Sequence, residues 1–164
     1  MKRIIISCDP GAHGAMAWRD GNGTRHVRKM PDTPRGILEL IREIEDEVDE
    51  QGVILPSTSF VCYLEDVGHG ISGQSSSATA NFARHNGHLE MALIAEDIRI
   101  EKVLPQRWMK TLGIGRSTDC ASKREWKNKL KRKAEELYPQ FKVTLDTCDA
   151  LLILDYACRH EAEL

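Results

Sequence analysis

At 164 residues the chain has room for one domain with a substantial core and is short for two. A composition of 41% hydrophobic and 29% charged residues is ordinary for a globular domain, and no stretch is apolar for long enough to span a bilayer, which argues against a membrane-spanning class. The net charge of -2 conceals a segregation: Asp32 to Glu50 holds eight acids against Arg35 and Arg42, whereas Arg99 to Lys133 holds twelve Lys/Arg against Glu101, Asp119 and Glu125. A chain that separates charge in this way offers one face to a polyanion. The first apolar run starts so early that no targeting peptide is expected before it, and a cytoplasmic location follows. Five cysteines, an odd number without a Cys-x-x-Cys pair, suggest neither a disulfide framework nor a zinc site. Cys8, Cys62 and Cys148 are expected to be small buried hydrophobes.

Ile4 to Ile6 reads as a buried strand, because β-branched side chains suit a pleated surface. The strand ends on Asp9, and Pro10-Gly11 then forces a tight turn. Ala15 to Trp18 is a second strand, Asp20-Gly21-Asn22-Gly23 a hairpin turn, and Thr24 to Met30 a third strand, together an antiparallel meander. Thr33-Pro34 opens a helix with a hydroxyl cap and a proline at the first position. Ile37, Ile41, Ile44 and Val48 form its apolar stripe, and Gly52 ends it.

Thr58 to Glu65 is a fourth strand, again ending on an acid, followed by a Gly/Ser-rich loop of the kind that carries function inside a compact domain. A helix is expected from Ser76 to Asp97. Gly87 within it costs about 1 kcal/mol relative to alanine, which predicts close approach of another backbone there. Ile98 to Leu104 is the fifth strand, Gln106 to Leu112 a short helix, and Gly113 to Thr118 a loop. Ser122-Lys-Arg-Glu125 is a capping box for a helix with Trp126, Leu130, Ala134 and Leu137 inward, and Lys123, Arg124, Lys127, Lys131 and Arg132 off that stripe. Trp108 and Trp126 are expected in packing. A last helix opens near Asp146 and runs to about His160. With no internal repeat or boundary, residues 1–164 read as a single α/β domain whose five-stranded mixed sheet is flanked by helices.

Four acids stand at comparable places. Asp9 and Glu65 end hydrophobic strands, and Asp146 and Asp149, three apart at a helix start, point from one face. Gathered without cations, four carboxylates resist joint ionisation. Hard divalent ions with oxygen ligands resolve the conflict, and Mg²⁺ suits carboxylates plus a substrate phosphate. Two such ions roughly 3.5–4 Å apart activate water and stabilise the leaving oxygen of a phosphodiester.

Asp9-Pro-Gly-x-x-Gly-Ala, the strand-end Leu64-Glu65 and Asp146-Thr-Cys-Asp149-Ala-Leu resemble the three acidic motifs of the RuvC family of Holliday junction resolvases, within the ribonuclease H-like superfamily. Pro105-Gln-Arg-Trp-Met-Lys-Thr-Leu-Gly113, with a later Lys123, is similar to that family's basic segment, and the likeness is greatest to phage and chloroplast members. The resemblance implies a ribonuclease H-like fold and a homodimer that nicks four-way DNA junctions symmetrically, placed with nucleoid or viral DNA. It implies that Asp9, Glu65, Asp146 and Asp149 hold two Mg²⁺ ions, with Mn²⁺ as a substitute. It places Lys110 and Lys123 near the scissile phosphate, Lys123 in a catalytic role, and gives Arg107, Arg116, Arg124 and Lys127 phosphate contacts. Bacterial relatives carry an aromatic side chain in the loop after the second acid; here the loop reads His69-Gly70-Ile71-Ser72, so the resemblance leaves junction opening to His69, Ile71 or a different device.

Two other readings compete. One keeps the fold and changes the substrate to other branched DNA or an RNA–DNA hybrid. The other is a non-catalytic DNA-binding protein using only the basic stretch, which the four acids disfavour because uncompensated negative charge repels DNA.

Overall fold

The computed structural model describes residues 3–50, 59–67 and 75–162, the side chains of 48–50 excepted. The chain runs β1 (Ile4–Asp9), β2 (Ala15–Arg19), β3 (Arg25–Lys29), α1 (Pro34–Glu50), β4 (Phe60–Glu65), α2 (Ser76–Ala95), β5 (Arg99–Val103), α3 (Pro105–Thr111), α4 (Lys123–Leu137) and α5 (Cys148–Ala162). A single 3₁₀ turn, Ser117–Asp119, separates α3 from α4.

The five strands form one sheet in the order β3-β2-β1-β4-β5. The β1–β2 and β2–β3 pairs are antiparallel, as the meander predicts, while β1–β4 and β4–β5 are parallel. Helical crossovers connect the parallel strands, as they must. The strands β1 and β4 at the centre are covered on both faces, so they read as continuous apolar runs and not as alternation.

Side-chain alternation divides the core in two. Ile4, Ile6, Cys8, Met16, Trp18, Cys62 and Leu64 pack against α1 and α2, whereas Ile5, Ala15, Ala17, Val61 and Tyr63 pack against α3, α4 and α5. The charge segregation thereby becomes spatial: the acidic helix α1 covers one face and the basic segment α3–α4 the other. On the first face Arg28 pairs with Glu43, and Arg42 Nε lies 2.8 Å from Glu96 Oε1.

Local signals hold at most element ends. Thr33 Oγ1 accepts from the Gly36 N–H at 3.0 Å, and Ser122 Oγ accepts from the Glu125 N–H at 3.1 Å. Asp20 accepts from the Asn22 and Thr24 N–H groups to close the hairpin. The three cysteines read as hydrophobes are fully buried, and Cys8 Sγ rests 3.4 Å from Cys62 Sγ across the β1–β4 pair. Trp108 and Trp126 are both buried.

Two expectations are corrected. Gly87 lies on an outward face of α2, and a Cβ there would meet nothing within 4 Å, so no backbone among the described residues approaches it. The last helix starts at Cys148 and not near Asp146: Thr144 and Thr147 exchange backbone-to-hydroxyl hydrogen bonds, 3.0 and 3.2 Å, and hold residues 144–147 as a turn. Side-chain competition for backbone donors is what such residues do at helix starts. Among the described residues no helix is long and apolar enough to cross a membrane. Gly52, Thr58, His69, Ile71 and Gln74 lie outside the described residues.

Candidate active site

The parallel pair β1–β4 sets the position of two acids. Its register places Cys8 opposite Leu64, so Asp9 and Glu65 follow side by side at the C-terminal edge of the sheet. Ligand chemistry in open α/β sheets gathers at this edge, outside the strand ends. The turn behind Asp9 is closed by the Gly14 N–H donating to the Gly11 carbonyl at 3.0 Å. Gly11 has φ +108°, and a Cβ at Gly14 would lie 1.9 Å from the Asp9 carbonyl oxygen, so both glycines are required by the geometry. His85 on α2 accepts from the Gly11 N–H through Nδ1 at 3.1 Å, tying the turn to the other layer.

A third acid arrives from α5. Ser7 Oγ, buried in β1, donates to the Ala150 carbonyl at 2.7 Å and fixes the first turn of that helix on the sheet. Asp149 is consequently 6% exposed and acts electrostatically on both Asp9 and Glu65. Burial pushes the Asp9 carboxyl well above the usual carboxylate range, and the charges of Glu65 and Asp149 add to it. Burial likewise raises Glu65, with Asp149 assisting, to about 7; the Trp108 and Lys127 side chains partly oppose that rise. Asp9 and Glu65 share a side-chain hydrogen bond that favours the proton on Asp9.

The cation in this cluster is Lys127. Its Nζ lies 2.5 Å from Asp149 Oδ2, and although burial alone would depress the ammonium, the charges of Asp149 and Asp9 hold it above its ordinary value. Trp108, wholly buried on α3, donates its indole N–H to Glu65 Oε1 at 3.0 Å. Cys148 Sγ lies 3.3 Å from Asp149 Oδ1.

Asp146 sits apart from these three. At the rim, in the turn before α5, it faces Lys29 Nζ at 3.2 Å and His13 Nδ1 at 3.9 Å. No group of three or more His, Cys, Asp or Glu side chains among the described residues is poised to hold a metal ion with the side chains as they stand. The donor set itself is suited to one: three neighbouring carboxylates face a single ammonium, and the excess negative charge is relieved by protons that a divalent ion can replace.

The other predicted basic residues lie outside the cluster. Arg107 and Lys110 are exposed on α3, Arg116 on the following loop, and Lys123 and Arg124 at the start of α4. Among the described residues none of these five has an ion-pair partner, whereas Lys102, Lys131 and Lys133 are paired with Glu90, Glu135 and Glu136. Sequence reasoning took Lys127 for one more solvent-facing cation and Trp108 for packing alone. The contacts of both with acids are tertiary, across 22 and 43 residues, and no local pattern signals them.

No protein-family model matches the chain, and no curated protein sequence matches it. Solved structures do. RuvC of Thermus thermophilus in complex with a Holliday junction substrate aligns with a TM-score of 0.57 over 96% of both chains at 10% identity. A second Thermus thermophilus RuvC structure aligns at 0.55 over 96% of both chains, with 12% identity. At such identities the likeness is one of fold: the chain shares the five-stranded mixed-sheet architecture of these two structures.

Proposed function

We propose that this chain is a divalent-metal-dependent endonuclease that resolves four-way DNA junctions as a homodimer. The observation that carries the reading is the convergence of Asp9, Glu65 and Asp149, from the first strand, the fourth strand and the last helix, at one edge of the sheet. Buried carboxylates with raised proton affinity that face one another in this way are the arrangement by which active sites tune acids and bases. The RuvC architecture supports a nuclease in particular.

Asp9, Glu65 and Asp149 would hold Mg²⁺, with Asp146 as the outer acid once it leaves Lys29. The bound ions would supply a deprotonated water and stabilise the departing oxygen. The chain's own residues do the rest. Glu65 and Asp9, whose proton affinities burial raises, would give up their protons as metal binds. Lys127 pairs with Asp149 in the free protein and would be released toward a substrate phosphate once metal takes its place. Arg107, Lys110, Arg116, Lys123 and Arg124 have no acidic partners among the described residues and would track phosphates without reading bases.

A two-fold protein fits a two-fold junction. The outward face of α2 suits self-association: Met91 and Ile94 are each 59% exposed there, beside Ala80, Ala83 and the open Gly87. An antiparallel partner crossing at Gly87 sets Ala80 against Ile94 and Ala83 against Met91, small against large.

The test is a labelled four-way junction incubated with Mg²⁺ and either the natural chain or Asp9→Asn. Paired symmetrical nicks from the natural chain alone are expected. Equal cutting of junction, linear duplex and RNA–DNA hybrid would redirect the reading to a general nuclease of the same fold.

A further inference from the structure

Trp108 has two properties that packing alone does not require together. It is wholly buried, within the cluster formed by α3, α4, α5 and one face of the sheet. Its one polar atom is also directed at a carboxylate, Nε1 to Glu65 Oε1 at 3.0 Å. Burial does not force that bond on an indole in this protein, because the equally buried Trp18 leaves its Nε1 without a hydrogen-bond partner among the described residues. The Trp108 bond therefore holds one oxygen of Glu65 and leaves the rest of the carboxylate to face Asp9 and Asp149. On the far side of the same short helix, Arg107 and Lys110 face solvent with no acidic partner among the described residues.

We infer that Trp108 is a positioning residue: its indole N–H sets the orientation of Glu65 and ties α3, the helix with the free cations, to the carboxylate cluster. The inference rests on the nuclease reading and adds to it a route by which phosphate contact on α3 and metal binding at Glu65 affect each other. Outer partners that orient a metal ligand change affinity by about 10–100-fold when removed. Linkage makes the effect reciprocal: whatever DNA does to metal affinity, metal does to DNA affinity.

The decisive variant is Trp108→Phe, which keeps an aromatic ring in the core and deletes the donor. Mg²⁺ binding to the free chain is measured by calorimetry, and junction binding with and without Mg²⁺ by anisotropy. The expected result is Mg²⁺ affinity about tenfold or more below that of the natural chain. Junction affinity without metal should change less than about twofold, and the increase in junction affinity on adding Mg²⁺ should be lost. Equal Mg²⁺ affinities for the two proteins would overturn the inference while leaving the nuclease reading in place. A natural chain that neither binds Mg²⁺ nor cuts junctions would sink that reading and this inference with it. Should Trp108→Phe fail to fold, the indole N–H resonances of the natural chain decide. Mg²⁺ and Glu65→Gln should each move the Trp108 signal more than those of Trp18 and Trp126, and an unmoved Trp108 signal refutes the proposal.

Discussion

Lys127, one position beyond the inward-facing Trp126 on α4, closes an ion pair of 2.5 Å with Asp149 on α5. The ammonium is the only basic side chain among the described residues in ion-pair contact with any of the three clustered acids. Removing it leaves a buried carboxylate uncompensated, which is more damaging than never having had the pair. Lys127→Met is expected to lower the metal-free melting temperature by several degrees, corresponding to about 1–3 kcal/mol for a partly exposed pair. Mg²⁺ should restore most of that loss, and more in the variant than in the natural chain. Equal Mg²⁺-induced shifts, read by differential scanning fluorimetry, would show that Lys127 and metal do not compete for one place.

The raised carboxyls predict an unusual dependence of stability on pH. Glu65 binds its proton up to about 7 in the folded chain but only to the ordinary glutamate value of 4.5 when unfolded, and Asp9 is shifted the same way. Between those limits the folded state holds more protons than the unfolded one, so stability falls as pH rises. For Glu65 alone the loss is on the order of 3 kcal/mol, complete above neutral pH. Metal-free unfolding curves should therefore shift to lower denaturant between pH 5 and pH 7.5. Mg²⁺, which takes the place of the protons, should stabilise more at pH 8 than at pH 5. A metal-free stability that is flat or rising over this range would contradict the electrostatics of the cluster.

At Gly14 a methyl group would overlap the Asp9 carbonyl, with 1.9 Å between the atoms. Relief requires the backbone of the turn to move, and Asp9 moves with it. Gly14→Ala should cost at least about 1–3 kcal/mol, the range for forced overpacking, and should reduce cleavage further than stability explains. Gly23→Ala is the control: φ is +88° there, which Gly14 does not share, yet no described atom lies within 4 Å of the added Cβ, and the site is remote. Similar cleavage by the two variants would mean that the Asp9 turn is looser than drawn.

The sorting of cations into paired and free makes a prediction about salt. Each phosphate contact removed should flatten the plot of log affinity against log salt by about 0.9. Lys110→Ala and Lys123→Ala should each do so with a junction substrate. Lys133→Ala, whose ammonium lies 3.6 Å from Glu136, should leave the slope unchanged. Identical slopes for all three would remove α3 and the start of α4 from the DNA-facing surface.

Much of this architecture is visible in the chain before any coordinates. Strand ends at Asp9 and Glu65 follow from apolar runs stopped by Pro10 and by the Gly/Ser-rich sequence after Glu65, whereas the parallel pairing that sets the two side by side comes from the structure. The Asp146–Asp149 spacing misleads because helical periodicity applies only within a helix. Thr144 and Thr147 hold Asp146 in a turn, and its side chain meets Lys29 of β3 instead. Lys127 is hidden for a related reason. Its position on the wheel lies beside the apolar stripe, and only the length of a lysine, together with the placement of α5, carries its ammonium inward. The Trp108–Glu65 bond joins two residues whose individual signals, an apolar ring and a strand-end acid, are each complete without the other.

The far end of α5 is also secured. Glu161 receives Arg3 from the start of β1, Arg99 from β5 at 3.0 Å, and the Tyr63 hydroxyl at 2.8 Å, while Ser7 grips the opposite end near Ala150. Held in this way, the helix behaves as a beam clamped in two walls, and a disturbance at one end is not absorbed by fraying at the other. Glu161→Ala, about 18 Å along the axis from Asp149, ought then to register in the chemistry of a carboxylate it never touches.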